Sequence, residues 1–204
     1  MGKEQLIFSY YRFCMLKDIV LFGAQGSGKG TQAKKLVDHF LGQYRYFESG
    51  AVLRALESND NAIGSYIKVL MDQGKLLHDA LVVALFDAFY VTLRDDQKMI
   101  VDGFPRDIPQ MHSFLDRMYR NHRELIGIRI DVPKEISVQR AMQRGRPDDT
   151  KESVESRINT YYAQTTPIIE YIQHFGKLVK IDGTKTPDEV FNDILKALRE
   201  DAAL

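Results

Sequence analysis

Lys29 closes a glycine-rich run, Gly23-Ala24-Gln25-Gly26-Ser27-Gly28-Lys29, that fits the spacing GxxxxGK. A loop of that spacing turns backbone N–H groups inward around an anion, and the lysine at its end reaches the outer oxygens of a polyphosphate. Further along the chain stand Arg54, Arg106, Arg140, Arg144, Arg146 and Arg157, with Asp102 as their candidate acid. Guanidiniums gathered at one place repel one another unless an anion joins them, and phosphate oxygens match their bidentate donors. The chemistry open to such a set is phosphoryl transfer by positioning and charge stabilisation, without a covalent intermediate. Taken singly, each arginine reads equally well as half of a solvated ion pair worth ~0–1 kcal/mol. What separates the group from that bland reading is its shared placement after predicted strand ends.

Those ends follow from periodicity. Ile19 to Phe22 is a short apolar run of buried-strand type, after which Ala33, Leu36, Val37, Phe40 and Leu41 recur at helical spacing from a start near Gly28. That helix start adds unpaired N–H groups and the positive end of a dipole to the loop. Arg45 to Phe47 reads as a second strand, followed by a helix with Leu53 and Leu56 for which Ser49 is the expected N-cap. Ser58 to Asn61 breaks the pattern before Ile63, Ile67, Leu70 and Met71, and Gly74 stops it. Residues 79–93 are apolar nearly all round, which predicts a helix buried on several sides. Lys98 to Asp102 and Leu125 to Val132 supply two more strands, with an amphipathic helix between them that carries Pro109 in its first turn. A helix from Pro133 to Arg144 is interrupted at Gly145 to Asp149, and a long helical pattern through Ile172 is expected to bend near Pro167. Leu178 to Asp182 is the fifth strand, and Thr186-Pro187-Asp188-Glu189 is a capping box opening the last helix. Strands alternating with helices predict an α/β fold, a doubly wound five-stranded parallel sheet, with ligands outside the carboxyl ends of its strands.

At 204 residues with 44% hydrophobic content the chain can bury one substantial core. Its 28 basic residues balance 28 acidic ones, so no overall field draws nucleic acid or an anionic membrane, and neither is expected as a partner. Cys14 is the single cysteine, which excludes an internal disulfide and a CxxC zinc knuckle and fits a reducing, cytoplasmic setting. Residues 1–16 read as an N-terminal extension, too short to span a bilayer and without a cleavage-site pattern, with Met15 as an alternative start. The five histidines show no ligand spacing, and the seven methionines read as core filler.

With these motifs in order, the sequence resembles the adenylate kinase family, in its nucleoside monophosphate kinase form with a short lid. GAQGSGKGTQ, SGAVLRA, the GKL of Gly74 to Leu76, DGFPRDIPQ, RAMQRGRPDDT, RINTYYAQTTPIIEY and IDGTK carry the resemblance, which runs from about Lys17 to the end. It implies a P-loop NTPase-type sheet in a kinase domain over 17–204, with a helical insert for the acceptor at about 48–77 and a lid at about 143–150. It implies that Gly26, Ser27, Gly28, Lys29, Gly30 and Thr31 hold ATP phosphates, with Arg144 and Lys185 on the same side. Ser49, Arg54, Lys75, Leu76, Leu77, Gly103, Phe104, Pro105, Arg106, Gln110, Arg146 and Arg157 are implied for AMP. Arg140 is implied to bind ATP phosphates or to steady its neighbours, and Lys29, Arg106, Arg140, Arg144, Arg146 and Arg157 form the implied catalytic set. Asp102 is the implied carboxylate for Mg²⁺ through water, since Gly30 lacks the usual loop hydroxyl, and no zinc is implied. Asp148 and Asp149 are implied to orient lid arginines, with a metal pair as their other reading. ATP, AMP and ADP are the implied partners of a monomer, and the implied reaction is ATP + AMP = 2 ADP.

Three positions depart from the family pattern: Gln25 for the loop proline, Ala51 for an aspartate, and Asp107 for a threonine. Ala51 and Asp107 predict reduced acceptor affinity or an altered acceptor choice. Gln110 favours AMP, because its amide matches an adenine edge, over the acceptors of UMP/CMP kinases. A nucleotide-binding regulatory or scaffold protein with weak turnover is the reading from another class.

Overall fold

The computed structural model describes residues 16–202, so the expected extension lies outside the described residues up to position 15, Cys14 and Met15 included. Five strands, β1 (Asp18–Phe22), β2 (Tyr44–Glu48), β3 (Lys98–Asp102), β4 (Leu125–Asp131) and β5 (Lys177–Asp182), pair in parallel in the order β2-β3-β1-β4-β5. Nine α-helices are described: α1 (Lys29–His39), α2 (Ser49–Glu57), α3 (Ala62–Asp72), α4 (Asp79–Tyr90), α5 (Ile108–Arg120), α6 (Lys134–Arg144), α7 (Lys151–Thr160), α8 (Thr166–Ile172) and α9 (Pro187–Ala202). β1 is central and buried on both faces, which is why it reads DIVLF with no polar alternation. Its side chains divide by parity. Val20 and Phe22 enter a core with α2, α3, α4, α5 and α8, while Ile19 and Leu21 enter a second core with α1 and α9. Each fully buried side chain of this size contributes ~1.5–3 kcal/mol.

Register puts the strand ends that matter side by side. Glu48 lies opposite Asp102, and Asp102 lies opposite Leu21, one residue before the end of β1. Strand order changes direction across β1, and this leaves a crevice outside its carboxyl end. The capping box expected at α9 forms, and α5 carries an acid cap that the sequence pattern did not name. Asp107 accepts from Gln110 N at 3.0 Å, and Thr186 and Glu189 exchange the reciprocal bonds of a capping box at 3.0 and 3.4 Å.

Three expectations change. Ser49 is not a cap; it sits inside α2 and its hydroxyl donates to Gly103 O at 2.7 Å, drawn off by the neighbouring strand-end loop. α4 ends at Tyr90 and is fully buried only at Val82 and Phe86, with Ala84 and Ala88 exposed, so it packs on one side. At Pro167 the helix does not simply bend. Proline has no N–H to give and its ring crowds the preceding turn, so the chain widens into a π turn at Tyr161–Thr165 before α8 restarts.

Candidate active site

The glycine loop leaves β1 and enters α1 as its spacing requires. Gly26 has φ +85°, and a Cβ there would lie 2.2 Å from Ser137 O of α6, so neither the conformation nor the space admits a side chain. The first N–H groups of α1 have no intrahelical acceptor and face the loop's interior with the positive end of the dipole. Lys29 Nζ folds back over the loop and donates to Gly23 O at 2.7 Å and Ala24 O at 3.1 Å. Burial lowers its pKa, Asp102 opposes that, and the Arg106 and Arg144 charges add to the lowering. A buried ammonium beside two guanidiniums is held charged less readily, and a further anion beside it would favour the charged form.

The strand-end loop after β3 supplies the next groups. Phe104 is 1% exposed and stacks on Phe86 with centroids 4.7 Å apart, with Phe114 and Phe47 at its edges, so it anchors the loop in the core. Gly103, at φ +77°, lets Arg106 turn back, and Arg106 Nε donates to Gly103 O at 2.7 Å. Among the described residues the two Nη atoms of Arg106 make no hydrogen bond. Asp102 accepts from the Tyr46 hydroxyl at 3.2 Å and has Lys29 at 4.0 Å. Burial raises its pKa against the lowering effect of Lys29.

Across the crevice, Asp149 gathers the arginines. Its carboxylate accepts from Arg144 Nη2 at 2.9 Å, from the Arg146 backbone N at 3.3 Å and from Arg157 Nη1 at 3.5 Å. Gln25 Nε2 of the glycine loop reaches the same carboxylate at 2.7 Å, a contact that a proline in its place cannot make. Asp148 holds Arg157 in an off-axis ion pair at 2.8 Å, and Arg157 also donates to Met71 O at 2.9 Å. Both aspartates therefore face arginines, and no group of three His, Cys, Asp or Glu residues that could hold a metal occurs among the described residues. Arg140 donates to Gly183 O at 2.7 Å and to Thr184 O at 3.4 Å, which ties α6 to the loop after β5.

One cavity of 790 Å³, well within the size of small-ligand sites, is lined by Gly26 to Thr31, Asp102 to Arg106, and Arg54, Arg140, Arg144, Arg146 and Arg157. Lys75, Leu76, Leu77 and Lys185 complete its wall, with Lys185 held at the rim by Asp193 at 2.7 Å. Two of the expected residues stand behind that wall. Ser49 is 2% exposed and bonded to Gly103, while Gln110 is 1% exposed with its amide fully engaged. Gln110 Nε2 donates to Asp79 and Asp107, each at 2.9 Å, and its Oε1 accepts from Arg106 N at 3.0 Å. Asp107 thus turns toward the α5 cap and Gln110, not toward the Arg106 guanidinium. The sequence reading missed Glu48 and Tyr46. Glu48 lines the cavity and accepts from Arg54 at 2.7 Å, and it carries an acid three residues before the exposed Ala51. An acid directly after the expected strand Arg45 to Phe47, at a carboxyl strand end, was the available signal.

Comparison with known proteins adds to this geometry. The family model described as Adenylate kinase matches residues 21–177. The chain is 36% identical over 186 residues to an adenylate kinase of Bacteroides fragilis, covering 89% of this chain and 97% of that protein. It is 33% identical over 188 residues to an adenylate kinase of Leptospira biflexa, covering 90% and 100%. It is 35% identical over 180 residues to UMP-CMP kinase 1 of Oryza sativa subsp. japonica, covering 86% of this chain and 71% of that protein.

Proposed function

The chain belongs to the adenylate kinase family, and from that premise we propose that it moves the γ-phosphoryl group of ATP·Mg²⁺ reversibly to AMP, giving two ADP. The observation that carries this reading is the meeting of two cations without carboxylate hydrogen bonds, Lys29 and Arg106, in one cavity with the phosphate loop and the remaining arginines. Donor phosphates lie in the N–H cradle of Gly26 to Thr31 with Lys29 on the transferring group, and Arg144 and Lys185 serve the same side. Arg54, Arg146 and Arg157 face the acceptor phosphate. Arg106 lies between the two and stabilises the charge that moves. The acceptor is already anionic, so no general base is needed, and in-line attack depends on positioning and electrostatics.

Asp102 fits the Mg²⁺ that accompanies ATP, because one carboxylate oxygen has no hydrogen bond and can hold a metal-bound water. When bound with ATP, the metal supplies neutralisation of the β- and γ-phosphate oxygens. Segments 48–77 and 143–150 close over the nucleotides to exclude water as a rival acceptor, and Arg146 and Arg157 link them to the rest. Among the described residues no helix is long and apolar enough to cross a membrane, and a cytoplasmic monomer is the setting we propose.

A pyrimidine acceptor is the second reading. It is favoured by the engagement of Gln110 with Asp79 and Asp107, which leaves no amide for an adenine edge in this conformation. A coupled assay of ADP formation with ATP·Mg²⁺ and AMP, CMP, UMP or GMP separates the readings. The highest kcat/KM is expected with AMP; a preference for CMP or UMP replaces it with the pyrimidine reading, and nucleotide binding without turnover on any acceptor replaces both with a regulatory role.

A further inference from the structure

Glu48 projects from the end of β2 into the cavity, opposite Asp102 in the sheet. Its Oε1 accepts from Arg54 Nη2 at 2.7 Å and from Arg146 Nη2 at 3.3 Å, and its Oε2 lies 3.3 Å from the Tyr46 hydroxyl. Arg54 follows it in α2, whereas Arg146 comes from the loop between α6 and α7 across the crevice. One carboxylate therefore joins two guanidiniums from opposite walls, with only 19% of its side chain exposed. Two guanidiniums converging on one oxyanion, each through one N–H, is an arrangement a phosphate monoester could also receive.

We propose that Glu48 sets acceptor affinity by standing in for the acceptor phosphate, so that the nucleotide must displace its carboxylate from Arg54 and Arg146. The inference rests on the proposed function for the assignment of those two arginines. Its physical content is an exchange of one anion for another. A carboxylate held at low exposure by two arginines competes with an incoming phosphate for the same donors, and it then lies beside a dianion of like sign. The exchange weakens binding of any nucleotide in proportion to its dependence on those guanidiniums, and it leaves a phosphate-free nucleoside unaffected. It also explains how a chain with Ala51 keeps an acid at this end of α2. The carboxylate orders the two arginines and offsets one of their charges, which lessens their repulsion at close quarters.

Calorimetric titration of the full chain tests this with AMP, adenosine and ATP against wild type and Glu48→Gln. Removal of the charge is expected to tighten AMP by about threefold to thirtyfold, with adenosine and ATP each within twofold of wild type. Glu48→Ser, also neutral and smaller, is expected to move AMP in the same direction and serves if the glutamine variant does not fold. Unchanged AMP affinity overturns the inference. Weaker AMP with unchanged adenosine also overturns it and makes Glu48 an organiser of the arginines. Equal changes for AMP and adenosine mark a merely structural role and overturn it as well. A wild-type chain that binds AMP yet forms no ADP sinks the proposed reaction while leaving the affinity comparison readable.

Discussion

Two buried aspartates sit at opposite ends of the same sheet, and they are satisfied to very different degrees. Asp18, at the amino end of β1, is 0% exposed; it accepts from Arg123 Nε at 2.6 Å, from Arg123 Nη2 at 2.7 Å and from Met99 N at 2.9 Å. Arg123 Nη2 gives a further bond to Gln97 O at 2.9 Å, so the pair closes the bottom of β1 and β3 with both Asp18 oxygens partnered. Asp102, at the carboxyl end of β3, is 7% exposed and has one hydroxyl at 3.2 Å and one ammonium at 4.0 Å. Both positions bury a carboxylate near a cation, but only the first completes the geometry that offsets desolvation. The completed pair is architecture. The incomplete set leaves a carboxylate oxygen without a hydrogen bond beside a cation 4.0 Å away.

The sharpest break of that contrast comes from Arg106→Ala. It is expected to lower kcat by about 10³-fold or more, by analogy with arginines that contact a transferring phosphoryl group. Its melting temperature should stay near wild type, because the Nη atoms hold no hydrogen bond and Gly103 O, which loses the Nε donor, keeps the Ser49 hydroxyl. Near-normal turnover in a coupled assay would return Arg106 to the structural class.

Arg123→Ala should do the reverse. Leaving Asp18 buried without its partner is expected to cost about 3–5 kcal/mol by urea titration, with kcat/KM per folded molecule unchanged. A large kinetic defect at wild-type stability would erase the distinction between the two ends.

Gln25 tests the boundary between the classes, since it links the phosphate loop to the carboxylate that orients Arg144 and Arg157. Loss of one hydrogen bond to a charged group, worth ~1.5–3 kcal/mol, makes Gln25→Ala lose about tenfold in kcat/KM for ATP. Gln25→Glu should lose more, because it sets like charges against each other. Wild-type rates in both variants would show that the link is incidental.

The smallest effect is on acid stability. Burial pushes the Glu48 carboxyl up, but Arg146 and Arg54 outweigh it and hold the group below the ordinary value of 4.5. A depressed folded value means the stabilisation is present above 4.5 and lost as pH falls through the folded value. Glu48→Gln should therefore flatten the acid limb of a stability–pH curve in that window only; an unchanged limb would mean the ion pairs add nothing in solution.

Much of this was legible without coordinates. The strand and helix order follows from short apolar runs and the 3.6-residue period, the loop from glycine spacing, and the α9 cap from Thr186 and Glu189, because each is a local rule acting within a few residues. DGFPR and the arginine series pointed to one crevice, since parallel strands bring their carboxyl ends together whatever the intervening distance along the chain. The sequence could not say which arginines would be paired and which left open. Arg106 and Arg140 look alike as letters, yet one guanidinium presents unbonded Nη atoms while the other is tied to Gly183 and Thr184.

Gln110 shows the same limit. Its amide was matched to a ligand by residue type, and it went to Asp79 and Asp107 because α4 and α5 pack side by side. Glu48 drew no notice, for its meaning lies in an arginine 98 positions away. The sequence by itself determined the glycine loop, the sheet and the supply of cations, all products of short-range pattern. Tertiary structure alone decided how acids and cations were shared out, because electrostatic partnership depends on distance and burial, and those exist only once the chain has folded.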